Sequence, residues 1–289
     1  MKKHILLPLL ALAGGGVGLV LHRWELSLAA DEATGLLGSG QPATAVLAVL
    51  AIALTAALAL LCRGGCAPKD WRDGLRCPLS GWMALMVAAA LLLLACGGLT
   101  VSSAIRRLAL WRMDPDRNAL PIMDGLLALS CLPAALAMLK LGQGGYRGSL
   151  TQEDRWMTAL PGYAAVFWAV SAYQQNAISP YPMQYVWTVL SCVCLLLAFY
   201  LFAAGAFGAR FSGLFPLFAL VGIVLELIAM GDPALTRLEL LQRTAFLLTA
   251  MGLVCPALRA RFGPAWTEEE LARSLAHEDE EDPGEDADE

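Results

Sequence analysis

The chain has 289 residues, of which 58% are hydrophobic and only 16% are charged. Soluble domains carry about 25% charged residues, because enough polar surface must remain to face water. The composition therefore excludes an ordinary soluble globular protein and predicts an all-α, polytopic bundle in a lipid bilayer. The net charge of −5 is unevenly spread, since residues 267–289 hold 12 of the 25 acidic residues.

Eight segments are apolar over about the length that crosses a membrane, roughly 20 residues. In chain order they are residues 5–21, 44–62, 81–101, 119–139, 159–175, 185–206, 212–230 and 244–258. We expect about eight transmembrane helices within one domain, residues 1–262. The fifth and eighth segments are short, so a count of seven spans stays open.

The first segment has a second interpretation as a cleaved signal peptide, because Lys2 and Lys3 precede it and small residues follow it. Its apolar run of about 17 residues is longer than the usual signal core, which favours a retained span. If the N-terminus is cytoplasmic, 13 of the 20 Lys and Arg residues lie on the inner side and 7 on the outer side. Cytoplasmic loops carry the excess of basic residues, so we predict that both termini are cytoplasmic. Four arginines in residues 106–117 oppose this orientation.

The inner loop after the second segment and the C-terminal tail are the two strongly charged regions. The loop, residues 63–76, is basic and is expected to contact anionic lipid headgroups. The tail, residues 263–289, opens with a capping box from Thr267 to Glu270, which predicts a short helix to about Ala276. The acidic remainder is expected to be disordered. It is either a solvated end or a binding segment for a cytoplasmic protein.

Two acidic residues lie inside predicted spans, Asp124 early in the fourth and Glu226 late in the seventh. Charge inside a span is costly in lipid and is the usual pointer to a functional site. In the predicted orientation both residues lie toward the outer end, where further polar residues end the third and fifth spans. The candidate outward-facing polar site comprises Asp124, Glu226, Gln174, Gln175, Asn176, Arg106 and Arg107. The alternative, which the sequence slightly favours, is that each carboxylate lies near the interface and pairs with an arginine for structural reasons.

The sequence gives little support for a metal site, a haem site or a known catalytic motif. Cys62, Cys66 and Cys77 flank one inner loop, but structural zinc sites use four ligands at tighter spacing, so no metal site is predicted. The three histidines are not placed to hold a haem between two spans. Walker, HExxH and GxSxG patterns do not occur in the sequence. We therefore predict no catalytic residue, no cofactor and no nucleic-acid partner.

Four short stretches carry a resemblance. They are HRWEL at residues 22–26, GQPAT at 40–44, YQQNAISP at 173–180 and the run from LAFY to AAGAFG at 197–208. They resemble a group of uncharacterised polytopic bacterial membrane proteins of similar length. The resemblance covers most of the helical body but not the acidic tail. It implies a bacterial inner membrane and no particular activity.

Three functional hypotheses remain. The sequence favours a non-enzymatic membrane protein with an interaction or envelope role, because charge inside the spans is scarce. The second is a small-solute transporter or permease, in which Asp124, Glu226 and Gln174 converge on an outward-facing cavity. The third, a membrane-embedded enzyme or redox subunit, has the least support because no catalytic constellation is present in the sequence.

Overall fold

A computed structural model describes residues 2–29, 42–65, 68, 70–114, 121–176, 182–209, 213–267 and 270. These ranges are helical with connecting turns and contain no strand. The helices are α1 (Lys3–Ala29), α2 (Pro42–Leu61), α3 (Trp71–Leu75), α4 (Ser80–Met113), α5 (Ile122–Arg147), α6 (Leu160–Asn176), α7 (Pro182–Ala206), α8 (Leu214–Ala229) and α9 (Arg237–Phe262). A 3-10 helix, Glu153–Ala159, leads directly into α6.

The eight predicted segments coincide with eight of these helices, whereas the short α3 was not predicted. Within the described ranges, six helices are long and apolar enough to cross a membrane: α1, α2, α4, α5, α7 and α9. The remaining two are shorter, with 17 residues in α6 and 16 in α8. At 1.5 Å per residue they measure about 24–26 Å, less than a bilayer core of about 30 Å. The prediction of an all-helical membrane protein is confirmed, and the count of eight spans stays a prediction.

Helix α4 departs most from its predicted boundaries. It has 34 residues and continues to Met113, a length of about 51 Å, instead of ending near residue 101. The extension carries Arg106, Arg107 and Arg112 on a continuous helix. No Gly or Pro interrupts residues 100–113, and arginine is a good helix former. The helix ends just before Pro115, where the preceding residue is disfavoured in helical geometry.

Helix α8 lies inside the bundle and packs against α7, α1, α9 and α2. Twelve of its 16 residues are buried, as expected for a helix that is apolar on every side. Glycine permits the closest contacts: a Cβ on Gly222 would lie 2.6 Å from Leu195 of α7, and one on Gly18 of α1 would lie 2.5 Å from Ile228. By contrast, Leu129 on α5 is 72% exposed, which indicates a surface suited to lipid.

At the opposite end to the candidate site, the connection between α2 and α4 is held against α5 and α9. The Cys77 amide donates to the carbonyl of Gly145 at 3.1 Å, and the Trp266 indole donates to the carbonyl of Arg76 at 2.9 Å. Burial raises the pKa of the Cys77 thiol to about 11. Cys66 lies outside the described residues, and within those ranges no three His, Cys, Asp or Glu side chains are grouped to hold a metal ion.

The predicted capping box of the tail is formed. The Thr267 amide and hydroxyl each donate to the Glu270 carboxylate at 3.1 Å, and the Glu270 amide donates back at 3.3 Å. The predicted tail helix beyond Glu270 and the predicted disorder after Ala276 lie outside the described residues.

Candidate functional site

Most buried polar side chains of the described residues gather at one end of the bundle, which we call the polar end. It is formed by the C-terminal ends of α1, α4, α6 and α8 and the N-terminal ends of α5, α7 and α9. The buried polar residues there are His22, Glu25, Thr100, Asp124, Ser171, Thr188, Glu226, Gln242 and Arg243. Seven helices therefore direct polar side chains inward at one level, although lipid would favour apolar residues at these depths.

A cavity of about 270 Å³ lies at the polar end between α4, α5, α6 and α9. This volume greatly exceeds the roughly 10–15 Å³ that one water molecule needs. Of the nine residues that line it, all but Leu238 are polar. The lining residues are Thr100, Ser103, Arg107, Asp124, Gln175, Thr236, Leu238, Glu239 and Gln242. We refer to this space as the large cavity.

Asp124 is fixed on the wall of the large cavity by two contacts with neighbouring helices. Its Oδ2 lies 3.1 Å from Nη1 of Arg107, and its Oδ1 accepts a hydrogen bond of 2.6 Å from the Ser171 hydroxyl. Gln175 Nε2 in turn donates to the Ser171 oxygen at 2.9 Å. The Arg107 side chain is 48% exposed, so solvent weakens its attraction for the carboxylate. The Ser171 hydroxyl, which Gln175 holds in place, therefore positions Asp124 as much as the arginine does.

Glu226 lies deeper than Asp124 and is fully buried. Its Oε1 accepts a hydrogen bond of 3.0 Å from Nη1 of Arg243, whose Nη2 donates to the Thr188 hydroxyl at 2.7 Å. The Glu226 side chain is 0% exposed and the Arg243 side chain 5%. Helices α7, α8 and α9 therefore meet at one neutral ion pair.

This ion pair is incompletely satisfied. Neither Oε2 of Glu226 nor Nε of Arg243 has a hydrogen-bond partner. Buried polar atoms are nearly always paired, so each exception needs a physical explanation. Beside Arg243 lies a void of about 10 Å³, which we call the small chamber. It is lined by Trp168, Ala172, Gln175, Thr188, Glu239, Gln242 and Arg243.

The large cavity and the small chamber adjoin each other. Gln175, Glu239 and Gln242 line both spaces. Gln242 Nε2 donates to the Thr100 hydroxyl at 3.2 Å, and the Thr236 amide donates to Glu239 in a capping box at 2.7 Å. A solute in the large cavity is thus separated from Arg243 by side chains of the first turns of α9 and the last turn of α6.

The predicted site residues fall into three groups. Asp124, Arg107 and Gln175 line the large cavity together. Glu226 lies beneath it with Arg243 and pairs with neither Arg106 nor Arg107. Arg106 and Gln174 are exposed and line neither space; Arg106 bonds instead to Ser102 in its own helix, at 3.4 Å. Asn176 is the last residue of α6, and its side chain lies outside the described part.

The sequence analysis did not select Arg243, Gln242, Ser171, Thr188 or Thr100. Arg243 preceded the apolar segment 244–258 and was therefore assigned to a loop. The signal that would have placed it inside a helix is Thr236-Arg-Leu-Glu239, a Thr-x-x-Glu capping box that starts α9 seven residues earlier than predicted. The three hydroxyl residues carry no comparable signal, since Ser and Thr are ordinary in transmembrane helices.

No family model, curated protein or solved structure matches the chain. The fold and the polar end define a class on physical grounds alone. It is a helical membrane protein with a buried ion pair beside a polar cavity at one end of the bundle.

Proposed function

We propose that the protein is a transporter or permease for a small polar solute in a bacterial inner membrane. Both termini are cytoplasmic in this proposal, and the polar end faces outward. The observation that supports it best is the large cavity, about 270 Å³ with eight polar lining residues, which adjoins the small chamber beside Arg243 of the buried pair. Ligand sites in membrane transporters lie inside the helix bundle, where polar side chains and shortened helices meet.

The two shortest of the eight long helices, α6 and α8, support this proposal. α6 supplies Gln175, one residue before its last residue, Asn176. α8 supplies Glu226 four residues from its own C-terminal cap, Met230. Gln175 lines both the large cavity and the small chamber, and Glu226 pairs with Arg243, which lines the small chamber. The C-terminal ends of both helices therefore lie beside the proposed site.

A non-enzymatic interaction or envelope role is the second candidate, and one specific observation favours it. Each buried carboxylate of the described polar end has a partner: Glu226 has Arg243, Asp124 has Arg107, and Glu25 has the His22 ring at 3.0 Å. Interhelical pairs such as the two with arginine can simply hold helices together. In either role, anionic lipid headgroups are the proposed ligands of the basic inner loop, and a cytoplasmic protein is the proposed partner of the acidic tail.

The experiment that separates the two candidates begins with the purified protein in detergent. Its melting temperature is measured with amino acids, small carboxylates, polyols and quaternary amines, and solutes that raise it are tested for uptake into proteoliposomes. In the transporter, Asp124→Asn, Gln175→Ala and Glu226→Gln abolish uptake. Gln174→Ala is the matched control, because Gln174 adjoins Gln175 on the same helix but is exposed. Failure of every solute to bind, or uptake that the first three variants leave unchanged, would refute the transport proposal.

A further inference from the structure

The buried pair Glu226–Arg243 is neutral as a unit but leaves one donor and one acceptor unused. The Nε–H of Arg243 has no acceptor, and Oε2 of Glu226 has no donor. A guanidinium presents its donors in a planar fork that matches the two oxygens of a carboxylate. One terminal nitrogen, Nη1, donates to Glu226, and the other, Nη2, donates to Thr188. The Nε–H therefore remains for an oxygen atom that the protein itself does not supply.

The small chamber limits what that oxygen can belong to. A void of about 10 Å³ accommodates one oxygen-sized group, so the remainder of a ligand must lie in the large cavity. The large cavity carries two carboxylates, Asp124 and Glu239, against one cation, Arg107. This net charge of −1 repels every anion, and multiply charged anions most strongly, so the attraction for a carboxylate must come from Arg243. A compact monoanion with a planar oxygen pair, a small monocarboxylate, best fits both spaces.

If the buried group is to stay electrically neutral, a second ligand must bind together with the carboxylate. A carboxylate that binds Arg243 while Glu226 remains ionised would give this buried group a net charge of −1, and an uncompensated buried charge is strongly unfavourable. One proton on Glu226 restores neutrality. The proton bonds to a Glu226 oxygen, the hydrogen bond from Arg243 to Glu226 breaks, and the guanidinium turns its donors to the incoming carboxylate. No covalent bond of the ligand changes.

Among the described residues, no other titratable group on the helices packed against Glu226 can take this role. On α7, the Cys192 thiol is within electrostatic range of Glu226 but is not a cation. On α1, His22 and Glu25 are paired with each other, and neither lines the cavity or the chamber. On α9, the charged neighbours are Arg243 itself and Glu239, which is anionic and held by its capping box. The sequence of α2, Pro42–Leu61, contains no titratable side chain.

We infer that the polar end binds a small monocarboxylate on Arg243 together with one proton on Glu226. This inference rests on the proposed function, because it names the class of solute that the cavity takes. The two ligands enter as an electroneutral pair, equivalent to one molecule of the free acid.

The test is calorimetric titration of the full-length protein in detergent with acetate, and with acetamide as the uncharged analogue of the same shape. Titrations in two buffers of different ionisation enthalpy count the protons taken up. We expect one proton per acetate bound and an affinity that falls by about tenfold per pH unit in the neutral range. Acetamide should show neither proton uptake nor this pH dependence. Acetate binding by the unmodified protein without proton uptake would overturn the inference, whatever the variants do.

Variants assign the two roles. Glu226→Gln should bind acetate with no proton uptake and less than about a twofold change per pH unit, because its side chain cannot ionise. Arg243→Gln should lose acetate binding. Glu25→Gln is the matched control, since Glu25 is a buried, paired carboxylate at the same end, and it should retain the proton uptake of the unmodified protein. If Glu226→Gln still takes up one proton, the assignment to Glu226 is wrong.

The outcome separates this inference from the transport proposal. If acetate and its homologues do not bind while another solute class raises the melting temperature and is taken up, the monocarboxylate assignment fails and transport stands. If no solute of any class binds, both fail.

Discussion

Replacing Arg243 by Met removes the cation that faces Glu226 and leaves a fully buried carboxylate without its counter-charge. Two hydrogen bonds disappear, to Glu226 at 3.0 Å and to Thr188 at 2.7 Å. Hydrogen bonds to charged groups each contribute about 1.5–3 kcal/mol, and removal of one partner of a buried ion pair costs about 3–5 kcal/mol in total. We therefore expect Arg243→Met to lower the free energy of unfolding by about 3–5 kcal/mol.

The assay is reversible unfolding in mixed detergent micelles with increasing dodecyl sulfate, followed by circular dichroism. A double-mutant cycle adds Glu226→Leu and the combined variant. Because an apolar pair can replace a buried ion pair with little net cost, the double variant should be destabilised by much less than the sum of the single variants. Arg107→Met is the comparison, since Arg107 is 48% exposed and should contribute only about 0–1 kcal/mol. Equal losses for Arg243→Met and Arg107→Met, or additive losses in the cycle, would refute the reasoning.

Three further predictions concern the other end of the bundle. Gly145→Ala should reduce stability by about 1–3 kcal/mol in the same unfolding assay, because the new Cβ would lie 2.7 Å from a backbone carbonyl of α3. Gly125→Ala on the same helix should be neutral or stabilising, since its Cβ meets nothing within 4 Å. The Arg72 side chain lowers the pKa of Asp70, so Asp70→Asn should reduce the melting temperature at neutral pH but not once pH falls below the native pKa. Burial raises the pKa of Cys77 to about 11, so this thiol should resist a water-soluble maleimide at neutral pH until the protein unfolds.

Each of these predictions has an outcome that contradicts it. For the glycines, it is equal stability of the two alanine variants. For Asp70, the direction of the pH dependence follows from the lowered pKa. The contribution of the ionised carboxylate to stability is complete above the pKa of the unfolded chain, about 3.9, and disappears as pH falls through the pKa of the native protein. A difference between Asp70 and Asn that persists at still lower pH would show that charge is not the cause. For Cys77, rapid labelling of the folded protein would show that the thiol is accessible.

Hydropathy predicted the existence and order of the long helices because lipid demands about 20 consecutive apolar residues in each span. It failed at helix ends that continue into polar sequence. α4 runs about a dozen residues beyond its predicted end, α5 continues to Arg147, and α9 begins at Arg237. Backbone hydrogen bonding does not stop where apolar composition stops, so only local capping signals could have marked these boundaries. The capping box at Thr236 was such a signal.

In the candidate site, the sequence likewise identified some residues, whereas only the tertiary structure identified their partners. Asp124 and Glu226 were found because a carboxylate within an apolar run is conspicuous in the sequence. Their partners were not: Glu226 pairs with Arg243, 17 positions away, and Asp124 accepts from Ser171, 47 positions away. A hydroxyl or an arginine near a span end is ordinary in composition, and only the packing of helices gives it a role.

The large cavity determines how the membrane potential acts on the buried pair. It lies at the polar end between α4, α5, α6 and α9, next to the small chamber that Arg243 lines. Wherever the large cavity admits water, the electrical potential of the solution at the polar end extends into it. The transmembrane voltage then falls across the thinner part of the bundle that remains. Moving one elementary charge across the whole membrane changes its electrostatic energy by about 2.3 kcal/mol per 100 mV. A proton that reached Glu226 alone would be drawn or opposed by that voltage, whereas a proton accompanied by a monoanion carries no net charge and is driven only by concentration gradients.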